Sequence, residues 1–405
     1  MMMKMQENTV SKHNFEACLK CTVCTVYCPV LQVNPLYPGP KQAGPDGERL
    51  RLKDPQFFNY ALKYCMNCKR CEVACPSGVN VADLIQSARI RYDRTPPRLR
   101  DRLLASTDFM GSLARPFAPI VNTVTGLGVT KAVMDATLKI DHRRTFPKYS
   151  GRSFEAWLRR RQEAQAAFLE QVAYFHGCYV NYNYPQLGKD LVKVLNALGV
   201  GVQLLDKEKC CGVALITNGM AEQATRNARH NVAALRKAVD GGLRVVATSS
   251  SCAMTLRNEY PALLGVDNAD VRDAVTLATR FVFEKLEKGA VLRFKSGYRK
   301  KIAYHVPCHM ERLGWGVFSE KLLRKIPGVE FTLLDSACCG IAGTYGFKKE
   351  NYEASQAIGE TLFNRIRAVD PDIVACDCET CKWQIEMSTD YPVMNPISIL
   401  AEAIE

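Results

Sequence analysis

Two short cysteine runs constrain this chain more than any other feature: Cys18-Leu-Lys-Cys21-Thr-Val-Cys24-Thr-Val-Tyr-Cys28-Pro29 and Cys65-Met-Asn-Cys68-Lys-Arg-Cys71-Glu-Val-Ala-Cys75-Pro76. Each reads C-x2-C-x2-C-x3-C-P. Three thiolates spaced in this way let a tight loop wrap one face of an iron–sulfur cubane, while the fourth stands on the following helix and points the other way. Zinc and free thiols are the alternatives for clustered cysteines. Zinc ordinarily takes two C-x2-C knuckles far apart; four cysteines within eleven residues, twice over and each followed by proline, exceed that need.

The spacing resembles that of two-cluster bacterial ferredoxins, in which the fourth cysteine of each run serves the other cluster. That resemblance implies one [4Fe–4S] cluster on Cys18, Cys21, Cys24 and Cys75, and a second on Cys65, Cys68, Cys71 and Cys28. The 37-residue step from Cys28 to Cys65 carries helical rather than hairpin text. This suits the helical ferredoxin module of succinate dehydrogenase iron–sulfur subunits. Helices are expected near Asp46–Leu52, Phe57–Cys65 and Val81–Tyr92. Lys69 and Arg70, inside the second run, either ease the charge of a reduced cluster or form a solvated face.

Eighteen cysteines among 405 residues fall into tight groups, which favours metal ligands in a reducing compartment over disulfides. The first residues, MMMKMQENTVSKHNF, contain no apolar core of a signal peptide, and no run of 18 apolar residues occurs. A cytoplasmic protein is expected. The formal charge is +13; two cubanes at about −2 each leave roughly +9. Nucleic acid, an anionic membrane surface and an acidic protein all answer such a charge. Nucleic acid is not the expected partner, since the cysteine loops lack interleaved stacking aromatics.

Residues 96–165 differ in texture. Arginines crowd the entrance, and Pro116–Thr130 then runs fifteen positions without a charge. Ile120, Val124 and Leu127 fall on one face of a helix too short to span a bilayer. Such a helix, flanked by Arg115, Lys131, Lys139, Arg143 and Arg144, either lies in a membrane interface or packs on the neighbouring domain. Arg159, Arg160 and Arg161 read as a solvated helix face.

From Gln171 the chain repeats itself. Cys178, Cys210-Cys211-Gly212 and Cys252 recur as Cys308, Cys338-Cys339-Gly340 and Cys381, at offsets of 130, 128 and 129 residues. A constant period carried by the rarest residues marks a duplicated domain. Uninterrupted Val/Ile/Ala strands alternate with helices, which predicts parallel sheets covered on both faces. Every cysteine group follows a strand, at the end where α/β sheets bind ligands. The expected fold is α+β and multidomain: a helical two-cluster ferredoxin-like domain (1–95), a connecting segment (96–165), and two repeated α/β C-C-G domains with parallel sheets (166–289 and 290–405).

The C-C-G repeats resemble the family of the heterodisulfide reductase B subunit, which includes iron–sulfur subunits of glycolate- and lactate-oxidising complexes. A complete five-cysteine copy in that family holds a non-cubane [4Fe–4S] cluster, and Cys308, Cys338, Cys339, Cys378 and Cys381 match it. The first copy keeps Cys178, Cys210, Cys211 and Cys252 but has Ser249 where a ligand belongs, and a hydroxyl is a poor soft-metal ligand. The cluster is therefore expected in the second copy. Cys376 reads as a structural thiol; His176, His305 and His309 read as hydrogen-bonded structural histidines.

Across most of the chain, phrases such as NPLYPGPKQAGPDGERLRLKD, KIDHRRT and CCGIAGTYGFKKENY are similar to the C-subunit family of anaerobic glycerol-3-phosphate dehydrogenases. The resemblance implies a peripheral subunit on the cytoplasmic face of the bacterial inner membrane. It would relay electrons from flavoprotein subunits A and B to menaquinone and attach them to the membrane. An electron-transfer role is favoured over catalysis, since no G-x-G-x-x-G after a strand and no P-loop lysine motif is present. An independent C-C-G disulfide or quinone reductase, or the iron–sulfur subunit of a related 2-hydroxy-acid oxidising complex, is the alternative.

Overall fold

Each half of the repeat builds a four-stranded parallel sheet. In the first copy β1 (Glu170–Phe175), β2 (Val200–Leu204), β3 (Arg244–Ala247) and β4 (Val275–Leu277) lie in the order β2-β1-β3-β4. In the second, β5 (Lys300–Tyr304), β6 (Val329–Leu333), β7 (Ile373–Ala375) and β8 (Val393–Met394) repeat it as β6-β5-β7-β8. The registers correspond: Val172 lies opposite Val202 and Arg244, and Ile302 opposite Phe331 and Ile373. Val245, Val246 and Ala247 in β3, and Val374 and Ala375 in β7, are wholly buried, as expected for branched and small residues in strands covered on both faces.

From the central strand the chain goes first to one side and then returns to the other. The carboxyl ends of β1 and β3, and of β5 and β7, therefore flank a topological switch point. The cysteines follow those ends. The two copies also exchange cover: the helix after β4 (Ala278–Glu287) packs on Gly316–Arg324, and the helix after β8 (Pro396–Ala403) packs on Pro185–Ala197. One core, including Tyr174, Leu191, Ile302, Leu322 and Ile399, consequently runs through both halves.

The structure is a computed structural model that describes residues 14–405; the absence of a signal peptide expected from the first residues concerns positions 1–13, outside the described residues. Between residues 14 and 95 the described elements are all short helical segments, ending in Val81–Tyr92 as the periodicity predicts. The helix expected near Asp46–Leu52 begins earlier, as a π-helical turn over Gln42–Asp46 that continues into Gly47–Arg51. Gly44 makes this close passage possible, since a Cβ there would lie 3.0 Å from Val81. Phe57–Cys65 is helical only over Asn59–Leu62, because Asp54 accepts the Gln56 N–H in a turn and Phe58 is left-handed.

The charge-free stretch of the connecting segment is two helices, Ala118–Gly126 and Gly128–Leu138, rather than one. Leu127 is extended between two glycines, which weaken the helix on either side. Leu127 therefore leaves the helical face of Ile120 and Val124, yet all three are exposed, with Phe109, Leu113, Phe117, Val129 and Val133. The chain then returns across the second copy. Ile140 pairs with Lys348, and the buried Arg144 donates to Ser355 at 2.9 Å and to Gln384. Among the described residues no helix is long and apolar enough to cross a membrane.

Candidate metal centres

The two N-terminal runs share one backbone shape. Lys20 and Thr22 in the first loop are left-handed, and so are their counterparts Asn67 and Lys69 in the second. Each such residue costs about 1–2 kcal/mol without glycine's freedom, so the pairing marks loops wound to one purpose. Cys28 precedes a helix whose first residue is Pro29, where a missing N–H costs nothing.

The thiols fall into two groups that exchange a member. Burial raises the Cys24 thiol's pKa, and Cys18, Cys75 and Cys21 raise it further. Burial pushes the Cys28 thiol up to about 12, with Cys68 and Cys65 adding to it, and Cys71 is raised by burial with Cys68, Cys65 and Cys28 nearby. Cys21 is exposed and borders a surface with Leu19, Val26 and Tyr27 exposed, whereas the Cys65 and Cys68 thiols face inward.

The inner loop is clamped to the second C-C-G copy. Arg70 pairs with Glu311 at 3.2 Å and donates to Ser336 at 2.8 Å; Arg312 pairs with Glu72 at 2.9 Å and donates to Asn80 at 3.1 Å. The second ring nitrogen of His309 lies 3.1 Å from the Asn67 carbonyl, and its first lies 3.1 Å from Ser251. Lys69 is no solvated face. It is fully buried, paired with Asp83 and, at 3.3 Å, with Glu259. Burial alone would lower its pKa, but Asp83, Glu72 and Glu259 outweigh burial and keep it charged. Through this clamp the loop that carries Cys68 is held against the helix that begins at Cys308.

In the second copy all five expected cysteines converge. The Cys339 and Cys381 sulfurs lie 3.3 Å apart. Hydrogen bonding with Cys338 and Cys381 holds the Cys339 thiol far below the usual range, while burial raises Cys308, with Cys339 and Cys378 adding to it. Gly340 explains the glycine of the motif: its φ is +86°, and a Cβ would lie 1.9 Å from the Ser355 carbonyl. Cys376 and His305 also belong to this neighbourhood, with ligand atoms within 4.8 Å of each other and of Cys381. Burial drops His305 to about 4, and its Nε2 is buried without a hydrogen-bond partner among the described residues.

The first copy gathers Cys178, Cys210, Cys211 and Cys252 in the same manner, and Gly212 repeats the left-handed turn at φ +93°. Ser249 is turned to other uses: its oxygen accepts the Cys252 N–H at 3.3 Å and its hydroxyl donates to Glu379 at 2.8 Å. Asp108 enters from the connecting segment and accepts the Cys210 N–H at 2.7 Å; burial pushes its carboxyl up to about 7. Nothing in the local spacing marks Asp108, because its partner is 102 residues away.

Packed, buried thiols whose neighbours raise some, such as Cys338 and Cys178, and lower others, such as Cys339 and Cys210, are good donors for a soft multivalent cation. The orphaned His305 nitrogen is a buried polar group without a partner among the described residues. The donor sets fit iron–sulfur clusters.

Comparison with known proteins agrees. Residues 14–79 match the 4Fe-4S dicluster domain family, and residues 172–257 and 302–386 each match the cysteine-rich domain family. The C subunit of the anaerobic glycerol-3-phosphate dehydrogenase of Escherichia coli strain K12 is 60% identical over 392 residues, covering 96% of this chain and 99% of that protein. The chain belongs to that C-subunit family. It is an iron–sulfur protein. More distant relatives match along most of the chain: the D subunit of the dihydromethanophenazine:CoB–CoM heterodisulfide reductase of Methanosarcina barkeri is 25% identical, covering 96% of this chain and 94% of its own. The B subunit of the CoM/CoB fumarate reductase of Methanothermobacter marburgensis is 26% identical, covering 95% and 71%.

One further feature of this family member adjoins both C-C-G sites. A slot of about 250 Å³ is lined by Phe146, Tyr179, Tyr184 and Trp383, with Lys148 and Lys382 at its edge. Tyr179 follows Cys178 directly, and Lys382 and Trp383 follow Cys381. The Tyr179 and Trp383 rings meet edge to face at 5.7 Å.

Proposed function

We propose that this chain is the electron-relaying, membrane-attaching subunit of an anaerobic glycerol-3-phosphate dehydrogenase, joining flavoprotein subunits A and B to menaquinone at the inner membrane. Cys18, Cys21, Cys24 and Cys75 hold one [4Fe–4S] cubane, and Cys65, Cys68, Cys71 and Cys28 the second. Cys308, Cys338, Cys339, Cys378 and Cys381 hold a non-cubane [4Fe–4S] cluster. The first copy, lacking a thiol at Ser249, is not needed for the relay. Such clusters supply one-electron carriers; the chain's part is to space and insulate them.

The observation that carries this reading is the clamp of Arg70–Glu311, Arg312–Glu72 and His309–Asn67 that fastens the second thiol loop to the helix beginning at Cys308, while Cys21 of the other thiol group is exposed. It gives the path a solvent-side entrance and a buried exit. The exposed Leu19, Val26 and Tyr27 beside Cys21 suit a partner subunit. The aromatic slot beside Cys381 suits a flat quinone headgroup, with Lys148 as a donor for a carbonyl oxygen, Lys382 being paired with Glu386 of the same lining. The apolar hairpin suits the bilayer interface, Val129 being 78% exposed.

The test is a Cys308→Ser chain assembled with the flavoprotein subunits. It should keep both cubane signals and substrate-dependent flavin reduction while quinone reduction falls at least tenfold; unchanged quinone reduction would exclude the path. Attachment is tested separately by replacing Ile120, Val124 and Val129 with glutamine. These residues are exposed, so the clusters should stay intact while the complex leaves the membrane fraction.

A further inference from the structure

Beside the exposed hairpin the chain gathers positive charge without answering it. A cleft of about 780 Å³ is walled by Arg115, Arg152, Arg160, Arg161, Lys189 and Trp157, and no carboxylate lines it. None of the five cations forms an ion pair among the described residues, whereas Arg159, on the same stretch, pairs with Glu155 at 2.6 Å. Arg161 and Lys189 are arranged about the aromatic wall, 4.3 Å and 5.8 Å from the Trp157 ring centroid. Arg152 and Arg160 remain exposed at the mouth. Like charges converging in a concave site repel one another and concentrate a counter-ion there. Arg159, Arg160 and Arg161 are exposed, as a solvated face predicts; the fold adds the concave lining that Arg160 and Arg161 share with Arg115, Arg152 and Lys189.

Position selects the anion. Arg115 and Pro116 lead directly into the helix that turns Phe117, Ile120 and Val124 outward. Tyr149, next to Ser150 of the cleft, exchanges two hydrogen bonds with Asn122 of the hairpin, at 2.9 and 2.8 Å. The cleft thus opens at the base of an apolar surface. We infer that it holds the phosphodiester headgroup of an anionic phospholipid whose acyl chains meet the hairpin. The inference rests on the membrane reading above and adds lipid selectivity to it. Guanidinium groups offer paired donors to phosphate oxygens, and tryptophan favours headgroup depth. Each basic residue near an anionic surface is worth about fivefold in affinity.

The experiment measures co-sedimentation of the full, cluster-loaded chain with vesicles of phosphatidylcholine alone or mixed with phosphatidylglycerol. Three chains are compared: wild type, the cleft variant R152Q/R160Q/K189Q, and R226Q/R229Q/R293Q, which removes the same charge from exposed positions elsewhere. Wild type should prefer the anionic vesicles, and the cleft variant should lose roughly tenfold or more of that affinity while binding neutral vesicles unchanged. The distant variant should keep most of it. Equal wild-type binding to both vesicle types would overturn the inference and leave the hairpin reading standing. Equal losses in the two variants would also overturn it, in favour of diffuse charge. Displacement by millimolar inorganic phosphate or glycerol phosphate would assign the cleft to a soluble anion instead. Wild type binding neither vesicle would remove the membrane reading and this inference together.

Discussion

Gly212 and Gly340 occupy the same place in the two C-C-G motifs, yet substitution should separate them. Both have positive φ, but a Cβ on Gly212 would find its nearest neighbour at 3.5 Å, whereas on Gly340 it meets the Ser355 carbonyl. Gly212→Ala should cost only the left-handed penalty, about 1–2 kcal/mol. Gly340→Ala should cost roughly 4 kcal/mol or more and release the iron of its site, because backbone must move. Denaturant unfolding with iron analysis reads both. The motif's adjacent thiols were legible in the sequence because glycine, proline and cysteine spacing act within a dozen residues. Cys376 read as a bystander, since only the fold brings it and His305 to Cys381.

At the scale of elements, the connecting segment is held to the second copy by charge as well as by packing. Arg100 grips Glu350 with two bonds of 2.7 and 2.9 Å, and Lys348 pairs with Asp101 at 2.8 Å. The partners outweigh burial and hold the Asp101 and Glu350 carboxyls below their ordinary values. A carboxyl with a lowered folded-state pKa stabilises above its unfolded value, about 4, and loses that contribution as pH falls. Hydrogen exchange over residues 96–144 should therefore rise as pH falls from 5 to 3 (after correction for the intrinsic rate). An Arg100→Gln chain should exchange faster already at pH 6. The helix Val81–Tyr92 and the strands of both copies follow from periodicity, since their apolar faces are set by spacing. The break at Leu127 does not, because two glycines shift a marginal helix only when tertiary contacts on either side hold its halves apart.

For the whole molecule, the decisive contact joins residues some 240 positions apart. Arg312 neutralises a Glu72 side chain that is only 1% exposed. Arg312→Ala removes the cation paired directly with that buried carboxylate and leaves only the more distant charge of Lys69, an expected cost of about 3 kcal/mol. With both cubanes still visible by electron paramagnetic resonance, electron transfer to the second copy should slow; an unchanged rate would show that the clamp is not what sets the spacing. The sequence by itself determined the two thiol runs and the duplication, and it is the source of the proposed ligand sets, because thiol spacing over a few bonds limits which metal groups can be wrapped. Only the tertiary structure decided that Lys69 is buried, that Asp108 joins the first copy, and that the second thiol loop is fastened to the helix beginning at Cys308. Those arrangements depend on how separate elements pack, and the energy that selects them lies in burial and charge pairing between distant segments, which no local pattern records.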